Sequence, residues 1–306
     1  MPIDHAAPGP EHQCAATAGL AADCRVPPLA GDGRPPLSEI YSAFEALGLA
    51  GWREVEITTQ PAPSGGVLPV RAYTNADEVD VVLIGGIHGR EPAGTLTLAR
   101  AVPRIAERGR ALHLLVMPLL NPWGYLRHER YGPSGQSVSD SDHLLGRLPV
   151  PACAEAAAIT DFLVSGIRIR HGAAVLDLHE DPVYEAPDYS FEGLGSYLYF
   201  AGVGARDHPA ARRVRECLVR SRLPLMRNGV TRFGEQLTDG VILDSEDGSI
   251  DELLARLLGC SPVITVENLL HAPDQPPLSD RVGVYLDVLD AFFGVSTEEP
   301  LCARPS

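Results

Sequence analysis

Two histidines and several carboxylates stand where apolar runs of this chain come to an end, the places at which a buried sheet would present them to a ligand. After VDVVLIG comes Ile87-His88-Gly89-Arg90-Glu91, and after ALHLLVMPLL comes Asn121-Pro122-Trp123-Gly124-Tyr125. After AAVLDL comes His179-Glu180-Asp181, and after PVITV comes Glu267-Asn268. His88-x-x-Glu91 falls on a strand-to-helix turn, and at that spacing the two side chains point the same way once the second residue begins a helix. Alone the pattern has little specificity: a loop histidine beside a glutamate that favours a helix N-terminus would produce it. His179, likewise, could be a satisfied buried histidine next to Asp177. Brought to one rim from separate strands, His88, Glu91 and His179 make a His₂Glu set, the three-ligand arrangement of catalytic zinc sites that leaves a fourth position for water.

The elements that must hold these residues alternate between short apolar strands and helical patterns. Ser38 can cap a helix through Leu49, and two extended segments, Glu54–Thr59 and Leu68–Ala72, follow around Pro-Ser-Gly-Gly. Val79–Gly85 leads to a helix beginning near Pro92, since proline suits a first helical turn. Strands are then expected at Ala111–Leu120, Ala173–Leu178, Tyr197–Ala201 and Pro262–Val266. Helices are expected at Pro151–Val164, Pro209–Ser221 and Asp280–Phe293. Continuously apolar strands separated by helices imply a largely parallel sheet buried on both faces, and ligands of such sheets bind beyond the strands' carboxyl ends. Residues 1–36, rich in Pro, Ala and Gly, read as an irregular or mobile N-terminal arm; 37–295 read as one catalytic domain and 296–306 as a C-terminal tail.

Composition excludes several classes of function. All 25 basic residues are arginine, so Schiff-base chemistry, pyridoxal phosphate attachment and the phosphate-loop lysine are ruled out. A net charge of −15 argues against nucleic acid and anionic membranes as partners. The six scattered cysteines form no C-x-x-C pair and read as reduced thiols. With no signal-peptide pattern and no membrane-spanning run, the expected location is cytoplasmic, with oligomeric state left open. No G-x-S-x-G follows a strand, and Gly85-Gly-Ile-His-Gly89 lacks the spacing of a dinucleotide-binding loop.

IGGIHGREPAG, LLNPWGY, HERY, LDLHE and ITVEN occur in the order seen in zinc carboxypeptidases and their succinylglutamate desuccinylase and aspartoacylase relatives, and over 37–295 the chain resembles that superfamily. The resemblance implies a three-layer α/β/α sandwich around a mixed, largely parallel eight-stranded sheet, one zinc ion per chain, and hydrolysis of an amide bond, peptide or N-acyl. By the same resemblance His88, Glu91 and His179 match the metal ligands and Glu267 the catalytic glutamate. Chemistry supports that role, because a carboxylate beside a zinc-polarised water can take its proton and deliver it to the leaving amine. Arg90 and Arg130 match oxyanion-stabilising arginines, with Arg127 a rival; Asn121 and Arg127 stand among the substrate-binding candidates.

Two features depart from the family pattern. Relatives carry an Asp-Leu-Asn-Arg-like segment whose Asn and Arg grip a terminal carboxylate; here those positions hold Asp142 and His143, which would repel or only weakly attract one. The mobile tyrosine of carboxypeptidases is also missing, since no tyrosine lies between Tyr199 and Tyr285, and the acidic stretch 238–249 stands there instead. Arg168, Arg212 or Arg232 could provide a replacement anchor. Alongside a carboxypeptidase-like hydrolase, the sequence therefore leaves open an amidase or deacylase of a small substrate, and a zinc-binding protein without catalysis.

Overall fold

The computed structural model describes residues 22–25, 28, 31–135, 144–145, 148–149, 151, 153–181, 190–191, 195–231, 234–243, 248–270 and 276–294. Asp142, His143 and Arg232 lie outside these residues, as do 244–247 of the acidic stretch. In chain order the elements are α1 (Leu37–Leu49), β1 (Arg53–Pro61), β2 (Val67–Thr74), β3 (Glu78–Gly85), α2 (Pro92–Arg100), α3 (Val102–Arg108), β4 (Leu114–Leu119) and α4 (Pro122–Arg127). There follow β5 (Leu144–Leu145), β6 (Leu148–Pro149), α5 (Ala154–Asp161), β7 (Arg168–Asp181), β8 (Ser190–Phe191), β9 (Ser196–Ala201) and α6 (Pro209–Val219). Last come β10 (Asn228–Val230), β11 (Gln236–Thr238), β12 (Val241–Leu243), α7 (Ile250–Glu252), β13 (Val263–Leu269) and α8 (Leu278–Phe293).

Eleven strands form one sheet in the order β1-β2-β4-β3-β7-β13-β9-β12-β11-β10-β8, with β5 and β6 as a separate hairpin. The first seven in that order correspond to the strands expected from the sequence, and the sheet is wider than the eight strands that the resemblance implies. The other four, β12, β11, β10 and β8, have two or three residues each, too short for a period of two to show in sequence. Parallel pairing is confined to the contiguous centre β4-β3-β7-β13 and to β9-β12; the remaining neighbours are antiparallel. The central strands are the apolar ones, and they are buried on both faces.

Alternation along those strands divides the core into two layers. Leu83, Leu176, Leu178 and Ile264 pack with α1, α2, α3, α6 and α8 on one face. Val82, Ile84, Val175 and Val263 pack with Ile159 of α5, the π-helical turn Phe162–Gly166 and Leu253–Leu254 beyond α7 on the other. Truncating any one of these buried aliphatic side chains to alanine would cost about 2–5 kcal/mol. Two helix boundaries differ from expectation. Helix α1 begins at Leu37 with Pro36 in the cap position, so Ser38 lies inside its first turn. Helix α5 begins at Ala154, where the Cys153 Sγ accepts from Ala156 N at 3.5 Å. Strand β7 runs to 14 residues because its polar first half, with Arg168 and Arg170 exposed, continues the pairing with β3 beyond the core.

Ahead of α1, Ala22–Arg25 form a 3-10 turn, and Cys24, Pro28 and Arg34 are buried. Cys24, Cys153, Cys217 and Cys260 are unbridged thiols. Among the described residues no helix is long and apolar enough to cross a membrane.

Candidate metal centre

At the carboxyl end of β3 the chain turns through His88 to Glu91, which occupies the cap position of α2. A cap residue ordinarily satisfies a free N–H of the first turn, but the Glu91 carboxylate turns to the histidines instead. Its Oε1 lies 2.8 Å from His88 Nδ1 and its Oε2 lies 3.3 Å from His179 Nδ1. The helix N–H it gives up, that of Ala93, donates to Glu180 Oε2 at 2.8 Å. Glu180 alternates with His179 along β7 and so points to the opposite face, where the Arg281 guanidinium of α8 pairs with it. The neighbouring glycines are needed for close approach: a Cβ on Gly94 would lie 2.5 Å from Leu178 O, and one on Gly89 would lie 1.9 Å from the backbone of Gly124.

His88, Glu91 and His179 are all buried, and their candidate ligand atoms lie within 4.8 Å of one another. A four-coordinate zinc ion with bonds of about 2.1 Å brings neighbouring ligand atoms to about 3.4 Å apart, so two imidazole nitrogens and a carboxylate gathered this closely suit such an ion. On the far side of His179, Nε2 lies 3.3 Å from Asp177 Oδ2, the kind of outer partner that fixes a ligating ring's orientation. The Arg130 Nη1 lies 2.8 Å from Glu91 Oε1.

Electrostatics match this ligand role. Burial by itself would raise the Glu91 carboxyl, but the charge of His88, hydrogen bonds from both histidines and the charge of Arg130 hold it well below the usual carboxylate range. Burial likewise lowers His179, yet Asp177, Glu91 and Glu267 together raise it well above the usual imidazole range. A dication held by this set would meet the negative charge of Asp177, Glu91 and Glu267 around His179.

Glu267 stands directly across from His179 in the parallel β7–β13 pair and across from Tyr197 in the antiparallel β13–β9 pair. Its Oε2 is closed off from solvent without a hydrogen-bond partner. Burial, then repulsion from Glu91 and Asp181, raises its pKa well above the usual range against the pull of His179 and Arg130. A cation on the ligand set would oppose that rise. Asp181 accepts from Tyr197 Oη at 2.7 Å, and Tyr199 Oη donates to Glu235 Oε2 at 2.7 Å.

The other sequence candidates fall into different places. Asn121 is wholly buried, its Oδ1 accepting from Gly124 N at 2.9 Å and its Nδ2 donating to Arg130 O at 3.1 Å, so it shapes the turn that carries Arg130 and does not face a substrate. Arg127 lies at the surface, with Glu129 at 3.1 Å and the Trp123 ring 5.2 Å from its guanidinium. Arg90 is half-buried between the two ligands of its loop. Two suggested anchors are excluded. Exposed Arg168 opens β7 at the end opposite His179, roughly 35 Å away along an extended strand. Arg212 is exposed on α6, in the helical layer of the opposite face. Sequence reasoning missed Arg34 and Tyr285, and named Glu180 only as a strand-end carboxylate. The Tyr285 Oη donates to His179 O and accepts from Asn268 N at 3.1 Å, fastening the ends of β7 and β13 together. No linear spacing connects Arg34 or Tyr285 to the candidate ligands.

The fold is that of metallopeptidases. A candidate metallopeptidase of Shewanella baltica OS155 superimposes with a TM-score of 0.68 at 18% identity, over 85% of this chain and 92% of that one. The metallo-carboxypeptidase of Burkholderia cenocepacia matches at 0.52 and 16% identity, over 82% of this chain and 66% of its own. That of Pseudomonas aeruginosa, in complex with (2-guanidinoethylmercapto)succinic acid, matches at 0.52 and 16%, over 84% and 67%. No protein-family model and no curated protein sequence matches the chain.

Proposed function

We propose that this protein is a zinc-dependent hydrolase of an amide bond, peptide or N-acyl, with His88, Glu91 and His179 holding one zinc ion and Glu267 transferring the proton. The observation that carries this reading is the position of Glu267, one strand over from His179 in register and with an unpartnered, solvent-shielded oxygen beside a ready ligand set. Zinc bound there supplies Lewis-acid polarisation of a carbonyl and of water. Glu267 takes a proton from the attacking water and passes it to the leaving amine. Arg130, next to Glu91, offers fixed positive charge to the oxygen on which negative charge builds; Arg90 is the second candidate.

A substrate without a free carboxylate is favoured by the acidity of the rim. Asp181, held by Tyr197, acts on Glu267 and would repel a substrate carboxylate. An amidase or deacylase of a small compound therefore stands beside the carboxypeptidase-like reading. Metal analysis of protein purified without chelators is expected to give about one zinc per chain. A panel of C-terminal peptides, N-acyl amino acids and blocked amides then separates the readings. Turnover of blocked amides supports the deacylase, a strict need for a free carboxylate supports the carboxypeptidase, and bound zinc with no turnover of the panel supports a silent metal-binding protein.

A further inference from the structure

Arg34 precedes the first helix, in a segment whose composition suggests no role, yet it is 4% exposed. Its Nη1 donates to Gly89 O at 2.8 Å and to Tyr125 O at 3.1 Å. Its Nη2 donates to Arg90 O at 3.4 Å and lies 3.1 Å from His128 Nδ1, which must accept because a guanidinium has only donors. Asp32 neutralises the buried charge with a two-pronged contact, Nε at 2.9 Å and Nη2 at 2.7 Å, and the Tyr125 ring lies 5.0 Å from the guanidinium. Tyr125 Oη closes the arrangement by donating to Pro35 O at 2.9 Å.

Gly89 and Arg90 are the two residues between His88 and Glu91. Tyr125 and His128 belong to α4 and its left-handed C-cap, two residues before Arg130. One guanidinium therefore ties the loop bearing two of the three candidate ligands to the turn bearing Arg130. We propose that Arg34 is a positioning residue of the metal site, setting the separation of the His88 and Glu91 ligand atoms through the carbonyls between them; this rests on reading the triad as a metal site. The buried loop carbonyls need donors, and Gly89 gives the loop no side chain with which to brace itself. A planar fork can serve several carbonyls and a carboxylate at once, which a lysine ammonium cannot. Outer partners of metal ligands typically govern affinity by 10–100-fold.

The test uses the full chain with R34A, R34K and D32N. Zinc affinity is measured by competition with a chromophoric chelator, site geometry by the visible spectrum of the cobalt-substituted protein, and loop freedom by hydrogen exchange in peptides covering 86–92 and 124–130. R34A is expected to weaken zinc binding by about 10–100-fold, alter the cobalt bands and speed exchange in both peptides, with partial recovery on adding methylguanidinium. R34K and D32N, which keep a cation or its donors, should move in the same direction by less, and they carry the test if R34A does not fold. Wild-type zinc affinity and cobalt bands in R34A, or in both milder variants where R34A is unfolded, overturn the proposal. If the wild-type protein takes up no zinc, the metal reading fails separately. Unchanged exchange at 86–92 would then overturn the clamp as well, whereas faster exchange would leave Arg34 as the fastener of this loop.

Discussion

The two halves of the candidate site reach the same point by different means. His179 and Glu267 stand on neighbouring strands, and the backbone ladder fixes their spacing by register: Glu267 is across from His179 because Val263 is across from Val175. Tyr285 fastens both strand ends. His88 and Glu91 stand on a loop that makes no ladder. It is held by ties from residues far away in sequence, including Arg34, the Gly89–Gly124 contact and the Asn121 turn beneath Arg130. A strand ligand inherits its place from secondary structure, whereas a loop ligand has to be tied down residue by residue. The strand half should therefore tolerate the loss of a supporting contact better than the loop half.

The largest effects should ignore this difference, since the metal needs all its ligands. H88A and H179A are each expected to reduce zinc from about one per chain to near none and to abolish hydrolysis, measured by metal analysis and turnover. A variant that kept both metal and activity would remove its residue from the ligand set. Next in size is E267Q, which leaves the ligands in place. It should retain zinc and lose about 10²–10⁴-fold in turnover. Hydrolysis near the wild-type rate would end the proton-transfer role of Glu267.

The comparison itself is tested by two smaller changes. G89A drives a Cβ into the backbone of Gly124, where no flexible side chain can yield, so a cost of about 1–3 kcal/mol is expected, together with weakened zinc binding. Y285F removes the hydroxyl that joins His179 O to Asn268 N, and should cost about 0.5–1.5 kcal/mol while zinc affinity stays close to wild type, because the ladder still sets the register. Denaturant unfolding and chelator competition measure both. If Y285F loosened zinc more than G89A did, the division into a tied loop and a self-positioned strand would be wrong.

The same division explains what the sequence could disclose. Apolar runs and the residues that end them were legible, because burial on both faces leaves a continuous pattern; so were His88, Glu91, His179 and Glu267 at the strand ends. The ties were not. Arg34 meets Gly89 across 55 positions, and Arg281 meets Glu180 across 101, separations that no local period encodes. Asn121 was legible as a residue at a strand end but not in its role, since a buried amide serving the backbone and an amide facing a ligand look alike in one dimension. The minor strands β8, β10, β11 and β12 were lost for want of length, and with them the full width of the sheet.

The smallest effect probes the loop half through pH. Half-burial would by itself raise the Asp32 carboxyl, but hydrogen bonds and charge from Arg34 outweigh it and leave the pKa below its ordinary value. A carboxyl whose folded pKa is depressed binds fewer protons folded than unfolded. Its contribution is thus present above the unfolded value of about 3.9 and disappears as pH falls through the folded value. In metal-free protein, where ligand displacement by protons does not intrude, wild type should be more stable than D32N at neutral pH. The gap should hold down to about pH 5 and then close on further acidification. Denaturant midpoints measured from pH 7 down to pH 3 read this directly. A gap constant throughout would mean that Asp32 acts on the clamp by shape and not by charge, and would return the buried Arg34 guanidinium to its carbonyl and aromatic partners for support.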